Sequence, residues 1–529
     1  VPASLLLFSG ALWLAFRASQ LEWISQGKTD LVFEEARLDW RNRTDLTDKT
    51  GSLPFMAGVV IDVDSDGYDE LVLSGGRNQD DRLFGHSAIM DRFVDRSHQH
   101  KLTKAKGDAT MGGASVDLDR DGYPELLLVR ESGLWIFPND RGALGEPWLA
   151  FAPDEQDRTT LLSVAAADLD KDGVTDLYLS GYIRNSDVEG QTIFSRPYGG
   201  YSYLLAGHQD GSFSDVTEDW GLRRQHNTFT ALFADFDSDG DSDLIVAEDT
   251  GRIETWLNDG APPYRDIPNP SEFSYPMGLA AGDFNGDGNL DFYASNTGPT
   301  LPEAMLRGDL PPAAIFNPDY MLLAGDGAGT FADIATDMGA ARMGFGWGVA
   351  AADFNLDGWE DVAIAQNYAK LDQPLMVPRY TGKILQNDHG NRFRPVEKRA
   401  GASNRYFAIA PLIGDFDGDN RPDLVWANLN GPARAFMNRA EGKHVIAIRL
   451  DDSVGGYGAI IRVDLGDRIL VRRLVPSQGL CSDQSAKLII GLGSAETVKN
   501  VSVDYQDGTH QSFGPASAGD VIDARRERP

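Results

Sequence analysis

The residues with the clearest capacity for chemistry are carboxylates set two positions apart. Between Asp235 and Leu244 the chain reads Asp-Phe-Asp-Ser-Asp-Gly-Asp-Ser-Asp-Leu. Carboxylates at positions 1, 3, 5 and 9 offer hard, anionic oxygen, and Gly240 at position 6 permits a sharp turn that points them, with a backbone carbonyl, at one centre. Ligands of oxygen alone select calcium over transition metals. One isolated copy would read equally as a solvated acidic turn, but the pattern occurs seven times.

The candidate ligands are Asp62, Asp64, Asp66 and Glu70, then Asp117, Asp119, Asp121 and Glu125. Asp168, Asp170, Asp172 and Asp176 form the third set and Asp235, Asp237, Asp239 and Asp243 the fourth. Asp283, Asn285, Asp287 and Asp291 follow, then Asp353, Asn355, Asp357 and Asp361, and last Asp415, Asp417, Asp419 and Asp423. Up to seven calcium ions are expected. Glutamate at position 9 moves the last ligand outward, so the first two sites are expected to be the weakest. Asparagine at position 3 keeps an oxygen and removes a charge. In the seventh loop Asn420 stands where the others have glycine, and asparagine tolerates the left-handed conformation better than other substituted residues.

The elements that position these loops are short apolar runs. Ala231 to Ala234 precede the fourth loop and Leu244 to Ala247 follow it, lengths that suit strands. An EF-hand would need flanking helices and a bidentate glutamate at position 12, where Val246 stands. Successive loops start 55, 51, 67, 48, 70 and 62 residues apart, a period proper to a solenoid, propeller or array. Each unit continues with an apolar run, a tight turn and an aromatic strand, as in Leu322-Leu323-Ala324-Gly325 leading to Phe331. Four antiparallel strands repeated seven times suit radial packing with short, protected edges. The expected fold is all-β: a seven-bladed β-propeller over 26–440, closed by an early strand near Leu31–Leu38, with a small β-rich domain over 441–529. Independent modules on a string would need polar linkers that the chain does not show.

The loops and their flanks, from about residue 30 to 440, resemble the FG-GAP/VCBS repeats of integrin-type propellers. The stretch from Lys443 to about Ile522 resembles the ASPIC/UnbV domain through Gly455-Gly456-Tyr457-Gly458-Ala459, Arg472-Arg473, Ser477-Gln478-Gly479, Asp483-Gln484-Ser485 and Gly491-Leu492-Gly493. The pairing is similar to the cartilage acidic protein family and its bacterial relatives. Tyr505-Gln506-Asp507-Gly508 departs from the family's Trp-Pro-Ser-Gly, and no EGF-like cysteine module follows. The resemblance implies an extracytoplasmic calcium-binding scaffold and no known reaction.

Composition agrees with that class. Asp and Glu number 80 against 48 Lys and Arg, a net charge of −32, which disfavours nucleic acid and anionic membrane surfaces as partners. The lone cysteine, Cys481, excludes an internal disulfide or a thiolate zinc cluster. Pro2 to Phe16 carry no charge and match a signal-peptide core or an anchor; the lack of a good small-residue pair over Phe16–Gln20 favours an uncleaved anchor (1–25), with a buried core helix as the alternative. Either export reading places the rest outside the cytoplasm.

Three insertions between second and third strands, at 181–200, 296–318 and 366–383, carry Tyr182, Phe194, Tyr198, Met305, Phe316, Tyr368 and Tyr380 among many prolines. They would gather on the face opposite the acidic loops, where long loops on a rigid scaffold bind a protein partner or a polysaccharide. No hydrolase or phosphate-cradling motif is present, and no catalytic residue is assigned. Acid pairs for glycoside cleavage cannot be picked out among 80 carboxylates, so a carbohydrate-active enzyme stands as the alternative. Met111-Gly112-Gly113, Met277-Gly278 and Phe345-Gly346-Trp347-Gly348 are expected just before innermost strands, with crowding at an axis, or a small-molecule site at Trp347, as the reason.

Overall fold

The acidic loops join strands whose residues are apolar on both faces. Ala231 to Ala234 and Leu244 to Ala247 are all buried, because each sheet is covered by a neighbour on either side. The computed structural model describes residues 26–44, 52–188, 199–300, 303, 310, 313–367 and 380–526. The expected N-terminal anchor lies outside them, as do Phe194, Tyr198, Met305 and Tyr368. Among the described residues, no helix is long and apolar enough to cross a membrane.

Among the described residues, seven sheets share one plan of four antiparallel strands, to the first of which Ser482–Asp483 adds a fifth, parallel strand. The first, blade 1, consists of Gly58–Ile61, Glu70–Leu73, Arg82–Ser87 and Arg92–Asp95. In the last, blade 7, Ala408–Gly414, Asp423–Asn428 and Arg434–Asn438 take their fourth strand from the other end of the chain: Phe33–Ala36 pairs antiparallel with Arg434–Asn438. Arg434 fixes this join with hydrogen bonds of 2.8 and 2.7 Å to the two carboxylate oxygens of Glu35.

Position 2 of each loop is apolar, and in four blades it is a phenylalanine that packs on an aromatic ring of the next blade's outer strand. Phe236 lies 5.3 Å from Phe331, Phe284 6.0 Å from Phe393, Phe354 5.7 Å from Phe33 and Phe416 5.4 Å from Phe93. The last contact joins blade 7 to blade 1, so the sheets form a closed ring.

The glycine clusters serve the axis. Met111 to Gly113 and Phe345 to Gly348 lie inside first strands, and only Met277-Gly278 precedes one. A methyl group on Gly112 would sit 1.9 Å from the Leu162 carbonyl oxygen of the next blade, and one on Gly348 2.7 Å from that of Ile409. Trp347 is 8% exposed and packs between Phe55 and Phe407 at ring distances of 6.1 and 5.6 Å, so its ring is enclosed by other aromatic side chains.

The C-terminal strands form two further sheets. His444–Arg449 lies between Lys487–Gly493 and Val521–Asp523, and a four-stranded sheet orders Ile469–Arg473, Ile460–Asp464, Thr497–Asp504 and His510–Ser517.

Candidate metal centres and the domain that covers them

Each loop is built by its own carboxylates before any ion is considered. At position 1, one oxygen accepts the N–H of position 6, from Gly67 to Asp62 through Asn420 to Asp415, at 2.8–3.1 Å in all seven loops. At position 5, one oxygen accepts the N–H of position 7 at 2.8–3.0 Å. Positions 4 and 6 are both left-handed. Gly240 has φ 86° and Asn420 φ 57°, so the seventh turn closes without glycine. Position 4 is the less expected of the two: Ser65, Arg120, Lys171, Ser238 and Leu356 hold φ of 57–68° there, a conformation substituted residues avoid unless their surroundings impose it.

Position 9 does more than supply a ligand. One of its oxygens accepts the N–H of position 2, as from Phe236 to Asp243 at 3.0 Å. In six loops the other accepts an N–H at the end of the third strand, as from Asn258 to Asp243 at 2.9 Å. In the first loop Arg96 takes that place, 2.6 Å from Glu70 Oε1. Where an asparagine stands at the end of the third strand or just past it, its side chain also donates to the preceding blade: Asn139 to Val63 at 2.8 Å, Asn258 to Leu169 at 3.0 Å, Asn387 to Phe284 at 2.9 Å and Asn438 to Phe354 at 2.8 Å. A carboxylate and an amide thus staple loop, strand and adjacent blade together.

In five loops three carboxylates converge within 4.8 Å, a spacing that could hold a metal ion. These are Asp62, Asp64 and Asp66; Asp117, Asp119 and Glu125; Asp168, Asp170 and Asp176; Asp235, Asp237 and Asp239; and Asp415, Asp417 and Asp423. Glu125 converges despite its length, whereas Glu70 is drawn off toward Arg96. The loops with asparagine at position 3 form no such triad among the described residues. Burial, followed by neighbouring charge, pushes the position 9 acids upward: Asp243 and Asp291 to about 8, Asp176 and Glu125 to about 7. Asp62 Oδ1, Asp415 Oδ1 and Asp417 Oδ1 are buried without a hydrogen-bond partner. Converging, desolvated carboxylate oxygens with unused lone pairs fit a hard divalent cation.

The C-terminal domain lies over these loops. Arg449 Nη2 is 3.0 Å from Asp62 Oδ2, Asp117 N donates to the Asp452 carbonyl at 2.6 Å, and Gln506 is 3.4 Å from Ser242. Arg473 donates to the Gly288 carbonyl at 3.2 Å, Arg468 to that of Asp357 at 2.8 Å and Arg472 to that of Gly358 at 2.9 Å. Lys487 Nζ is 2.5 Å from Asp415 Oδ2, and Gly491 N donates to Asp353 Oδ2 at 3.0 Å.

From this domain the segment 477–485 enters the ring. Gly58 N donates to the Cys481 carbonyl, Ser115 N to Asp483 Oδ2, Thr230 Oγ1 to the Gly479 carbonyl, Ala281 N to Gln478 Oε1 and Ile413 N to Gln484 Oε1, at 2.8–3.3 Å. Those partners belong to the first strands of five different blades, so the segment fills the axis, with Leu480 and Cys481 fully buried. No sequence signal pointed to this docking beyond the clustering of Arg472, Arg473, Gln478, Asp483 and Gly491 in one short stretch.

Family models match in the same places. An FG-GAP-like repeat covers residues 117–179 and 235–294, an FG-GAP repeat 345–384, and the ASPIC and UnbV model 453–527. A search of curated proteins returned no match. Among solved structures, the chain is similar to an Agrocybe aegerita lectin that recognises non-reducing terminal N-acetylglucosamine (14% identity, 66% of this chain, 84% of the lectin, TM-score 0.39). It is also similar to the Pseudomonas aeruginosa periplasmic gluconolactonase PpgL (11%, 64% and 83%, TM-score 0.40) and to a Bacteroides caccae protein of unknown function (11%, 64% and 97%, TM-score 0.34). Likenesses of that size carry no argument about activity. With FG-GAP repeats in the ring and the ASPIC and UnbV match on the domain that caps it, the chain has the architecture of an FG-GAP propeller with a C-terminal ASPIC/UnbV domain.

Proposed function

We propose that this protein is an extracytoplasmic interaction scaffold whose blades are held by calcium and whose partner surface is the face bearing the insertions. The observation that carries the reading is the position of the C-terminal domain: it covers the acidic-loop face and fills the axis, leaving the opposite face and the outer rim to meet a partner. FG-GAP repeats point to protein interaction, and the oxygen-only loops point to calcium, which is abundant outside the cytoplasm. An N-terminal anchor would hold the scaffold at a membrane.

The root of the 181–200 insertion is held by contacts on the neighbouring blade. Tyr182 donates to Asp249 Oδ2 at 2.5 Å and stacks near Phe229, with ring centroids 5.4 Å apart. Deleting Pro299 to Pro312 tests the assignment. The expected result is loss of partner capture from solubilised membranes with calcium binding and melting retained; unchanged capture would contradict it. Cleavage of a polysaccharide panel by the intact protein would instead favour a carbohydrate-active enzyme.

A further inference from the structure

The seven loops do not share one charge environment. In the fourth, no ion pair reaches Asp235, Asp237, Asp239 or Asp243 among the described residues; Lys171 pairs with Asp241, which is not a ligand position. In the seventh, each turn carboxylate has a cation of its own. Lys487 Nζ lies 2.5 Å from Asp415 Oδ2, Arg439 Nη1 2.6 Å from Asp417 Oδ2 and Arg421 Nη1 2.7 Å from Asp419 Oδ2. Arg439 also approaches Asp419 at 3.4 Å. Asp423 is engaged by the N–H groups of Phe416 and Asn438 at 3.1 and 2.8 Å.

We infer that the seventh loop is closed by Lys487, Arg439 and Arg421 in place of calcium, so that the blade that seals the ring and the domain docked on it stay joined when calcium is withdrawn. Asp415 Oδ1 and Asp417 Oδ1 remain free of hydrogen bonds, but a divalent ion placed on them would face three side-chain cations already gathered at this loop, Arg421 from the loop itself, Arg439 from just past the end of the third strand and Lys487 from the C-terminal domain. Four carboxylates paired with three cations attract calcium far less than the four carboxylates of the fourth loop, which feel Arg265 and Arg473 only at longer range. Both chain ends of the propeller meet in blade 7, through Phe33–Ala36 and Arg434–Asn438, and Lys487 arrives from the C-terminal domain. An ion-independent clamp at this seam keeps the ring shut while other loops load and unload.

The inference rests on the calcium reading proposed above, and one experiment separates the two. Bound calcium per chain is measured by equilibrium dialysis and elemental analysis on the full chain, at a free calcium concentration that saturates the wild type. Asp235→Asn with Asp237→Asn should remove one ion. Asp415→Asn with Asp417→Asn should remove none, and Asp415→Asn with Lys487→Met, which deletes an ion pair as a unit, should also leave the count unchanged. Near-ultraviolet circular dichroism confirms that each variant is folded. Loss of one ion from either variant of the seventh loop would overturn the inference while upholding calcium binding. An unchanged count in the fourth-loop variant would overturn the calcium reading itself.

Discussion

Asn387 Nδ2 lies 2.9 Å from the carbonyl oxygen of Phe284, so the third strand Lys383–Asn387 of one blade holds the acidic turn between Leu279–Gly282 and Asp291–Ala294 in the blade before it. The same residue's N–H donates to Asp361 Oδ1 at 2.7 Å, and its side-chain oxygen accepts from Gly390 N at 2.9 Å. One buried asparagine therefore serves two loops. Replacing it with alanine strands the Phe284 carbonyl and should lower stability by about 1–3 kcal/mol, the cost of leaving a buried polar group unpaired. Denaturant unfolding measures this, and a change within experimental error would show that the interblade bond is dispensable.

Crowding at the axis gives a second prediction. With the Leu162 carbonyl oxygen 1.9 Å from where a methyl carbon would stand, Gly112→Ala must push the inner strands Thr110–Val116 and Thr159–Ala167 apart. A loss of about 2 kcal/mol or more is expected, in the range of overpacked cores, whereas Gly508→Ala, with φ 83° but open space around it, should lose less. Equal effects in thermal melts would count against close packing of the inner strands.

Proton linkage supplies a third. Without an ion, Asp243 and Asp291 titrate near 8, and Asp176 and Glu125 near 7, chiefly because they are buried. Their folded values lie above the ordinary 3.8 and 4.5, so between about pH 4 and 8 the native ion-free protein holds more protons than the unfolded chain. Its stability must then fall as pH rises through that window. On the proposed calcium reading, the ion would take the ionised carboxylates and expel those protons. The rise in melting temperature on adding calcium should therefore be larger at pH 8 than at pH 5.5; an equal rise at both would contradict the assignment of these acids as ligands.

Much of this molecule was legible in its sequence because the repeat is local. The spacing of Asp235, Asp237, Asp239 and Asp243, with apolar runs on either side, specifies a hairpin turn whatever the rest of the chain does. The early strand near Phe33 followed from the need to complete a last blade, and it does pair with Arg434–Asn438. What could not be read depends on distant partners. Lys487 lies 72 positions from Asp415, and Asp483 lies 368 from Ser115, so neither periodicity nor motif spacing could show that the C-terminal domain brings a cation to one loop and fills the axis. Position 4 was also silent, since Ser65, Lys171 and Leu356 share no side-chain chemistry, only the left-handed backbone that the turn imposes.

The most direct test of the account is scanning calorimetry of the full chain in millimolar calcium and in excess chelator at neutral pH. Ions that bind only the native state contribute about 2.7 kcal/mol per site at a hundredfold excess over Kd. Several loops loading together should therefore separate the two melting temperatures by at least about 5 °C. Superimposable transitions in calcium and in chelator would contradict the claim that bound ions hold the blades.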